Sequence, residues 1–369
     1  MSARPTWVGI TGITAADEPS AGLAAAQSLK RGPGAAGLRV VALAESAFSD
    51  GIQAVPAADE VVVVPSPQRE PEAFVAAVRE LARGRRFVLL PGSPGDMVAL
   101  APRRDALSQA GVRHMLPSPR QVSSLPFLGV ARVAGLRIPR GTGLDPANLR
   151  KLALRPCQWP LVLRTTDGRL ASAAALAEIP ALAEALARPW GTATRAHEPV
   201  LGSEISIAVL CGGHGRPLGM AAAVPLQRGG NGALWSAVTT ADPGVLAAAR
   251  RILDVARWTG PGELHLIRDE AGALWFTGVT PGFPSWISLA AAAGRPLVRQ
   301  YVGLCLGAAS LLPGAYRDGL FMSRVAMDIA MPITTLGQLA TEGAFSHDTH
   351  HAGTLRAASD HAARARVAH

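Results

Sequence analysis

Cysteine is scarce in this chain of 369 residues: Cys157, Cys211 and Cys305 are scattered, odd in number and without paired spacing. That excludes a disulfide framework and a cysteine-based zinc site. Long apolar runs are missing too. Val61–Val64 and Ile287–Ala293 fall short of the roughly 20 residues that a spanning helix needs, and the second, alanine-rich and stopped by Gly294, reads as a buried helix. The opening residues hold no basic stretch followed by an apolar segment and a cleavage site, so the expectation is a cytoplasmic protein with no membrane partner. Charged residues make up only 17% against 49% hydrophobic, a balance that buries a core. Lysine is almost absent, with Lys30 and Lys151 the only two, so arginine carries the net charge of +9. A basic chain suits nucleic acid, but these arginines are dispersed and no basic run is interleaved with aromatic side chains. No nucleic-acid partner is expected. There is no Gly-x-Ser-x-Gly elbow, Cys211 has no histidine base evident in the sequence, and Gly9-Ile10-Thr11-Gly12 falls short of a dinucleotide fingerprint.

What is present is alternation. Trp7–Ile13, Leu38–Ala44, Glu60–Val64, Phe87–Leu90 and the short Val112–Leu116 read as strands. Between them, Ala21–Lys30, Pro71–Arg83 and Asp96–Ala110 read as helices, the second with Phe74, Val78 and Leu81 on one side. Strands alternating with helices predict a parallel sheet covered on both faces. Ligands of such sheets lie beyond the strand C-termini, here near Thr11-Gly12 and Gly92-Ser93. After Pro117 the pattern becomes α+β. A helix at Val122–Ala134 leads to a strand at Pro160–Leu163 and helices through Leu186. His197–Leu210 is strand-like around a turn at Gly202. Gly219–Val224, Gly232–Thr239, Gly262–Arg268 and Leu274–Gly278 follow as antiparallel strands, with a helix at Pro243–Arg257 and a hairpin turn at Asp269–Gly272. Phe321–Ile329 as strand and Thr334–Thr341 as helix close the fold. The polar tail from Gly343 is expected to be mobile, with the imidazoles of His347, His350 and His351 solvated rather than gathered on a metal.

Several stretches, in this order, resemble the ATP-grasp superfamily, in its carboxylate–amine ligase and carbamoyl-phosphate-synthetase-like branch. Ala16–Gly22 resembles the first loop of the preceding Rossmann-like domain; Leu116-Pro117-Ser118 and Gly135–Pro139 resemble the start of the nucleotide lobe. Glu198–Glu204 resembles the interlobe hinge, and Trp258–Leu264 with Pro281–Trp286 resemble the two metal-side strands. The resemblance covers Trp7 to Ala340. It implies an α/β protein: a Rossmann-like parallel-sheet domain over 1–116, then a two-lobed α+β ATP-grasp domain over 117–310 with its hinge near 198–204. A closing strand–helix unit at 311–342 and a histidine-rich tail at 343–369 complete the expected organisation.

Members of this family hold ATP between two lobes, with Mg²⁺ on hard oxygen ligands and cations along the phosphates. By resemblance, Glu204 takes the ribose-binding position, while Glu198 and the backbone of Val200 and Leu201 take the adenine side. Arg164 stands where a strand ends in a phosphate-binding lysine, although arginine differs from lysine in reach and geometry. Gly168 alone is left of a glycine-rich phosphate cover, and the upstream lysine expected near Ser123-Ser124 is absent. The family's Glu-x-Asn-Pro-Arg frame reads Gly278-Val279-Thr280-Pro281-Gly282 here, so both metal-binding residues and the arginine are gone. His265 stands where the partner strand has an oxygen ligand. Glu263 and His265, two apart on one strand, share a face and are the candidates for a remodelled metal site; otherwise no metal is expected. Two functions follow: a degenerate scaffold binding nucleotide, peptide or partner protein in a peptide or amino-acid pathway, or an active ATP-dependent carboxylate–amine ligase with a rebuilt metal site. Homodimerisation and a small-molecule or peptide carboxylate ligand belong to the same expectation.

Overall fold

A computed structural model describes residues 5–13, 20–31, 37–51, 54, 57–122, 125–153, 156–165, 169–187, 193–228, 234–308, 315–325 and 330–346. Contacts divide the chain into two units. One takes in 1–116, 282–316 and 323–369, and the other 117–281 and 317–322.

In the first unit, four strands with few polar side chains need cover on both faces, and they pair in parallel. They are β1 (Thr6–Ile10), β2 (Leu38–Ala44), β3 (Glu60–Val63) and β4 (Arg86–Leu90), ordered β3-β2-β1-β4. Phe74, Val78 and Leu81 of the helix Pro71–Ala82 pack in the core with Trp7, Val41, Phe87 and Leu89. The polar tail contributes more than expected: Ala344–Ser346 add antiparallel to β3 as an edge strand, while 347–369 lie outside the described residues. The expected helix Asp96–Ala110 is two, Pro94–Leu100 and Arg104–Gln109. Pro102 lies between them and has no N–H to carry the α-helical ladder through. Val112–Leu116 forms no strand beyond one bridge, Val88 to Arg113. Met115 N–H donates instead to the hydroxyl of buried Tyr301, which donates to Leu89 O at 2.7 Å.

Beyond β1 and β4, backbone segments meet at closest approach. A Cβ on Gly22 or Gly92 would overlap the carbonyl of Thr11, so only glycine fits either place. Thr11 Oγ1 donates to buried Asp96 at 2.6 Å, and Gln68 Nε2 donates to the same carboxylate at 2.8 Å. Burial pushes the Asp96 carboxyl up to about 6, with these hydrogen bonds opposing the rise. Of the expected first loop, 16–22, residues 16–19 lie outside the described residues.

The second unit has two antiparallel sheets. The smaller comprises β5 (Gly141–Gly143), β6 (Leu161–Thr165), β7 (Leu170–Ala173) and β8 (Ala193–His197), ordered β5-β8-β6-β7. Leu161, Leu163 and Ala196 turn one face of it towards Ile179 and Leu182 of the helix Ile179–Ala187. The larger sheet comprises β9 (Ser203–Cys211), β10 (Pro217–Arg228), β11 (Leu234–Thr240), β12 (Gly260–Arg268), β13 (Leu274–Pro281) and β14 (Phe321–Ser323), ordered β13-β12-β9-β10-β11-β14. β14 ends at Ser323, short of the expected Ile329; 326–329 lie outside the described residues. One face buries Ile205, Ile207, Val209, Leu264 and Leu266 beneath the helix Pro243–Ala256, which Asp242 caps by accepting from Gly244 N and Val245 N. The opposite face therefore carries the intervening residues of each strand.

Candidate functional site

Strand alternation and register assemble this site. With Ile205, Leu264 and Leu266 turned inward, Glu204 and Ser206 on β9 and Glu263 and His265 on β12 share the opposite face. The ladder sets Glu263 opposite Thr280 and His265 opposite both Gly278 and Ser206. On β6 of the smaller sheet, Leu161 and Leu163 face its helices, so Arg164 turns the other way, and Arg195 on β8 lies directly opposite it.

Arg164 reaches from the smaller sheet to the larger one. Its side chain is buried, its Nη2 donates to Thr280 Oγ1 at 3.4 Å, and the same hydroxyl is hydrogen-bonded to His265 Nε2 at 2.8 Å. Glu263 accepts a hydrogen bond from Ser206 and lies 3.8 Å from His265 Nε2. Glu204 accepts from Arg228 Nε at 2.9 Å. A Cβ placed on Gly278 would lie 2.5 Å from Arg164 Nε and 2.9 Å from its Cζ. The arginine thus fills the volume that a side chain at 278 would need.

The electrostatics follow from this crowding. Burial lowers the Arg164 pKa to about 10, a shift that Glu263 and Glu204 oppose and Arg228 and Arg195 reinforce. His265 is held well below its ordinary value by burial and by Arg164 and Arg228, so it is a neutral imidazole. Arg164, Arg195 and Arg228 thus act on one region against two carboxylates, a positive excess that suits an anionic ligand.

Magnesium fits these residues poorly. Mg²⁺ calls for about six hard oxygen ligands in a near-octahedral arrangement. Here the donors are the carboxylate of Glu263, that of Glu204 already paired with Arg228, the hydroxyls of Thr280 and Ser206, and an imidazole, and a guanidinium stands among them. No group of three or more His, Cys, Asp and Glu placed to hold a metal occurs among the described residues.

Arg164, Glu204, Glu263 and His265 are therefore brought into one neighbourhood, while Glu198 faces elsewhere. Glu198 Oε1 accepts from Gln158 N at 3.3 Å, and the residue lines a cavity of about 110 Å³ with His197, Lys151 and Cys157. Val200 is half-buried and Leu201 is exposed. Ser123-Ser124 and Gly168 lie outside the described residues. Sequence reasoning missed Ser206, Thr280, Arg195 and Arg228 as partners in this cluster. Ser206 has a local signal, because it sits two residues beyond Glu204 on the same strand face. Arg195 and Arg228 have none without the ladder register.

No helix among the described residues is long and apolar enough to cross a membrane. No family model and no curated protein matches the sequence. Solved structures do match. N5-carboxyaminoimidazole ribonucleotide synthetase in its ADP complex is similar with a TM-score of 0.60 and 15% identity, over 87% of this chain and 82% of that one. N5-carboxyaminoimidazole synthase from Aspergillus clavatus, in complex with ADP and 5-aminoimidazole ribonucleotide, gives 0.60 and 16%, over 90% and 85%. L-amino acid ligase from Bacillus licheniformis gives 0.54 and 17%, over 85% and 76%. At such identities the likeness shows the fold alone: this chain has an ATP-grasp fold.

Proposed function

We propose that this chain is a catalytically degenerate ATP-grasp protein that binds a nucleotide without running the ligase reaction. The observation that carries the reading is Arg164. Its guanidinium lies against Gly278 and Thr280, the positions at which the resemblance would put the metal-binding Glu and Asn. A fixed organic cation there supplies positive charge for a phosphate chain but lacks the exchangeable coordination through which a metal stabilises a developing acyl phosphate. Glu204, on the rim of the same region and exposed enough to leave Arg228, is the ribose ligand in this reading. The likeness to an L-amino acid ligase supports an amino acid or peptide carboxylate as the second ligand.

Isothermal titration with ATP, once with Mg²⁺ and once with EDTA, tests the reading. Binding is expected in both, with an affinity that does not depend on the metal. Glu204→Gln should weaken ATP by about ten-fold, the worth of one charge-assisted hydrogen bond. It should change stability by less than about 1 kcal/mol, because the pair with Arg228 is solvent-screened. Metal-dependent binding with ADP release in the presence of amino acids would instead establish an active ligase working through Glu263 and His265.

A further inference from the structure

Arg132, Arg140 and Arg195 line one cavity of about 390 Å³ in the second unit. Its wall runs from the helix Leu125–Val133 through Ile138 and Pro139 to β5. Arg195 faces Arg164 across the β6–β8 ladder, but Arg164, Glu204, Glu263, His265 and Thr280 are not part of that wall. Arg195 is 7% exposed; its Nη2 donates to Pro139 O at 2.6 Å, while its buried Nη1 has no hydrogen-bond partner among the described residues. Arg132 and Arg140 are exposed, and among the described residues no acid forms an ion pair with any of the three.

A buried guanidinium with an idle donor is costly unless something completes its hydrogen bonding. Here a second cation makes matters worse, since Arg132 adds to burial in lowering the Arg195 pKa to about 10. Structural ion pairing would have placed an acid against such a group. Guanidinium forks match the planar or tetrahedral oxygens of carboxylate and phosphoryl groups, and the cavity volume lies in the range of small-molecule sites.

We propose that this cavity binds a small molecule through a phosphoryl or carboxylate group held by Arg132, Arg140 and Arg195. The site does not rest on nucleotide binding at the Arg164 cluster and stands or falls separately. The probes are inorganic pyrophosphate and citrate, titrated calorimetrically into the full chain at low ionic strength. Arg132→Gln and Arg140→Gln replace exposed side chains and so spare the fold; Arg250→Gln, exposed on the helix Pro243–Ala256, controls for the loss of one positive charge. Saturable binding that falls at least ten-fold in both cavity variants and is unchanged in Arg250→Gln supports the site. Pyrophosphate alone would assign the phosphoryl group, and citrate alone the carboxylate. The proposal is overturned if neither anion saturates, or if Arg250→Gln weakens binding equally. It is also overturned if the cavity variants bind normally while Arg164→Ala abolishes binding, because the anion would then sit on the other cluster.

Discussion

Adding a single methyl group at Gly278 should destabilise the protein, and removing Arg164 should reverse the sign of that effect. Gly278 lies in β13 and is not among the glycines with positive φ, so alanine meets no backbone objection there. The cost is steric. A Cβ would lie 2.5 Å from Arg164 Nε, 2.9 Å from Cζ and 3.1 Å from Cδ, the middle of a buried side chain that cannot swing into solvent. Overpacking of this kind costs about 1–3 kcal/mol, while replacing glycine where the backbone permits it returns about 0.4–1 kcal/mol through the unfolded chain. The net loss expected for Gly278→Ala is therefore about 1–2 kcal/mol. At roughly 2–4 °C per kcal/mol for a unit of this size, the melting temperature should fall by about 2–8 °C. With Arg164→Ala already in place the clash disappears, and Gly278→Ala should be neutral or stabilising by up to about 1 kcal/mol. Thermal unfolding of the four proteins of this cycle measures the coupling directly. An equal fall in melting temperature in both backgrounds would refute the contact, and with it the claim that the guanidinium fills the place of a metal ligand.

Two further outcomes follow from buried polar groups. Tyr301→Phe removes the hydroxyl that serves Leu89 O and Met115 N, and urea unfolding should show a loss of about 1–3 kcal/mol. His197 is lowered to about 4 by burial and by Arg195 and Arg164, against an opposing hydrogen bond to Glu198 O. Below pH 6.5 the unfolded imidazole takes up its proton first, so stability is full above that pH and falls as pH drops towards 4. Between pH 7 and pH 5 the loss from this group should be about 2 kcal/mol, and His197→Leu should flatten the profile measured by urea titration. His265, held low for similar reasons, acts in the same direction.

The parallel first sheet was legible because β1 to β4 are apolar throughout and separated by helical spacing, a pattern that states its own burial. The break at Pro102 was legible in principle, since proline carries its constraint in its own ring. The bridge at Arg113 was not, because whether Met115 N–H joins a ladder depends on Tyr301, 186 residues away in sequence. Period-two alternation placed Glu263 and His265 on one face of their strand, and the structure adds Thr280 and Ser206 opposite them through ladder register.

Local sequence thus determined which residues alternate, which segments are buried on both faces, and that the frame Gly278–Gly282 lacks the carboxylate a metal would need. It could not say what stands in that gap. Arg164 is 114 residues earlier and on another sheet, and its meeting with Gly278 and Thr280 is a matter of shape and reach between side chains. Nor could it show that Arg132, Arg140 and Arg195 line one cavity without a described acidic partner. Hydrophobic patterning is written in neighbouring residues, whereas the charge balance of a site is the sum over groups that only folding brings within Coulombic range.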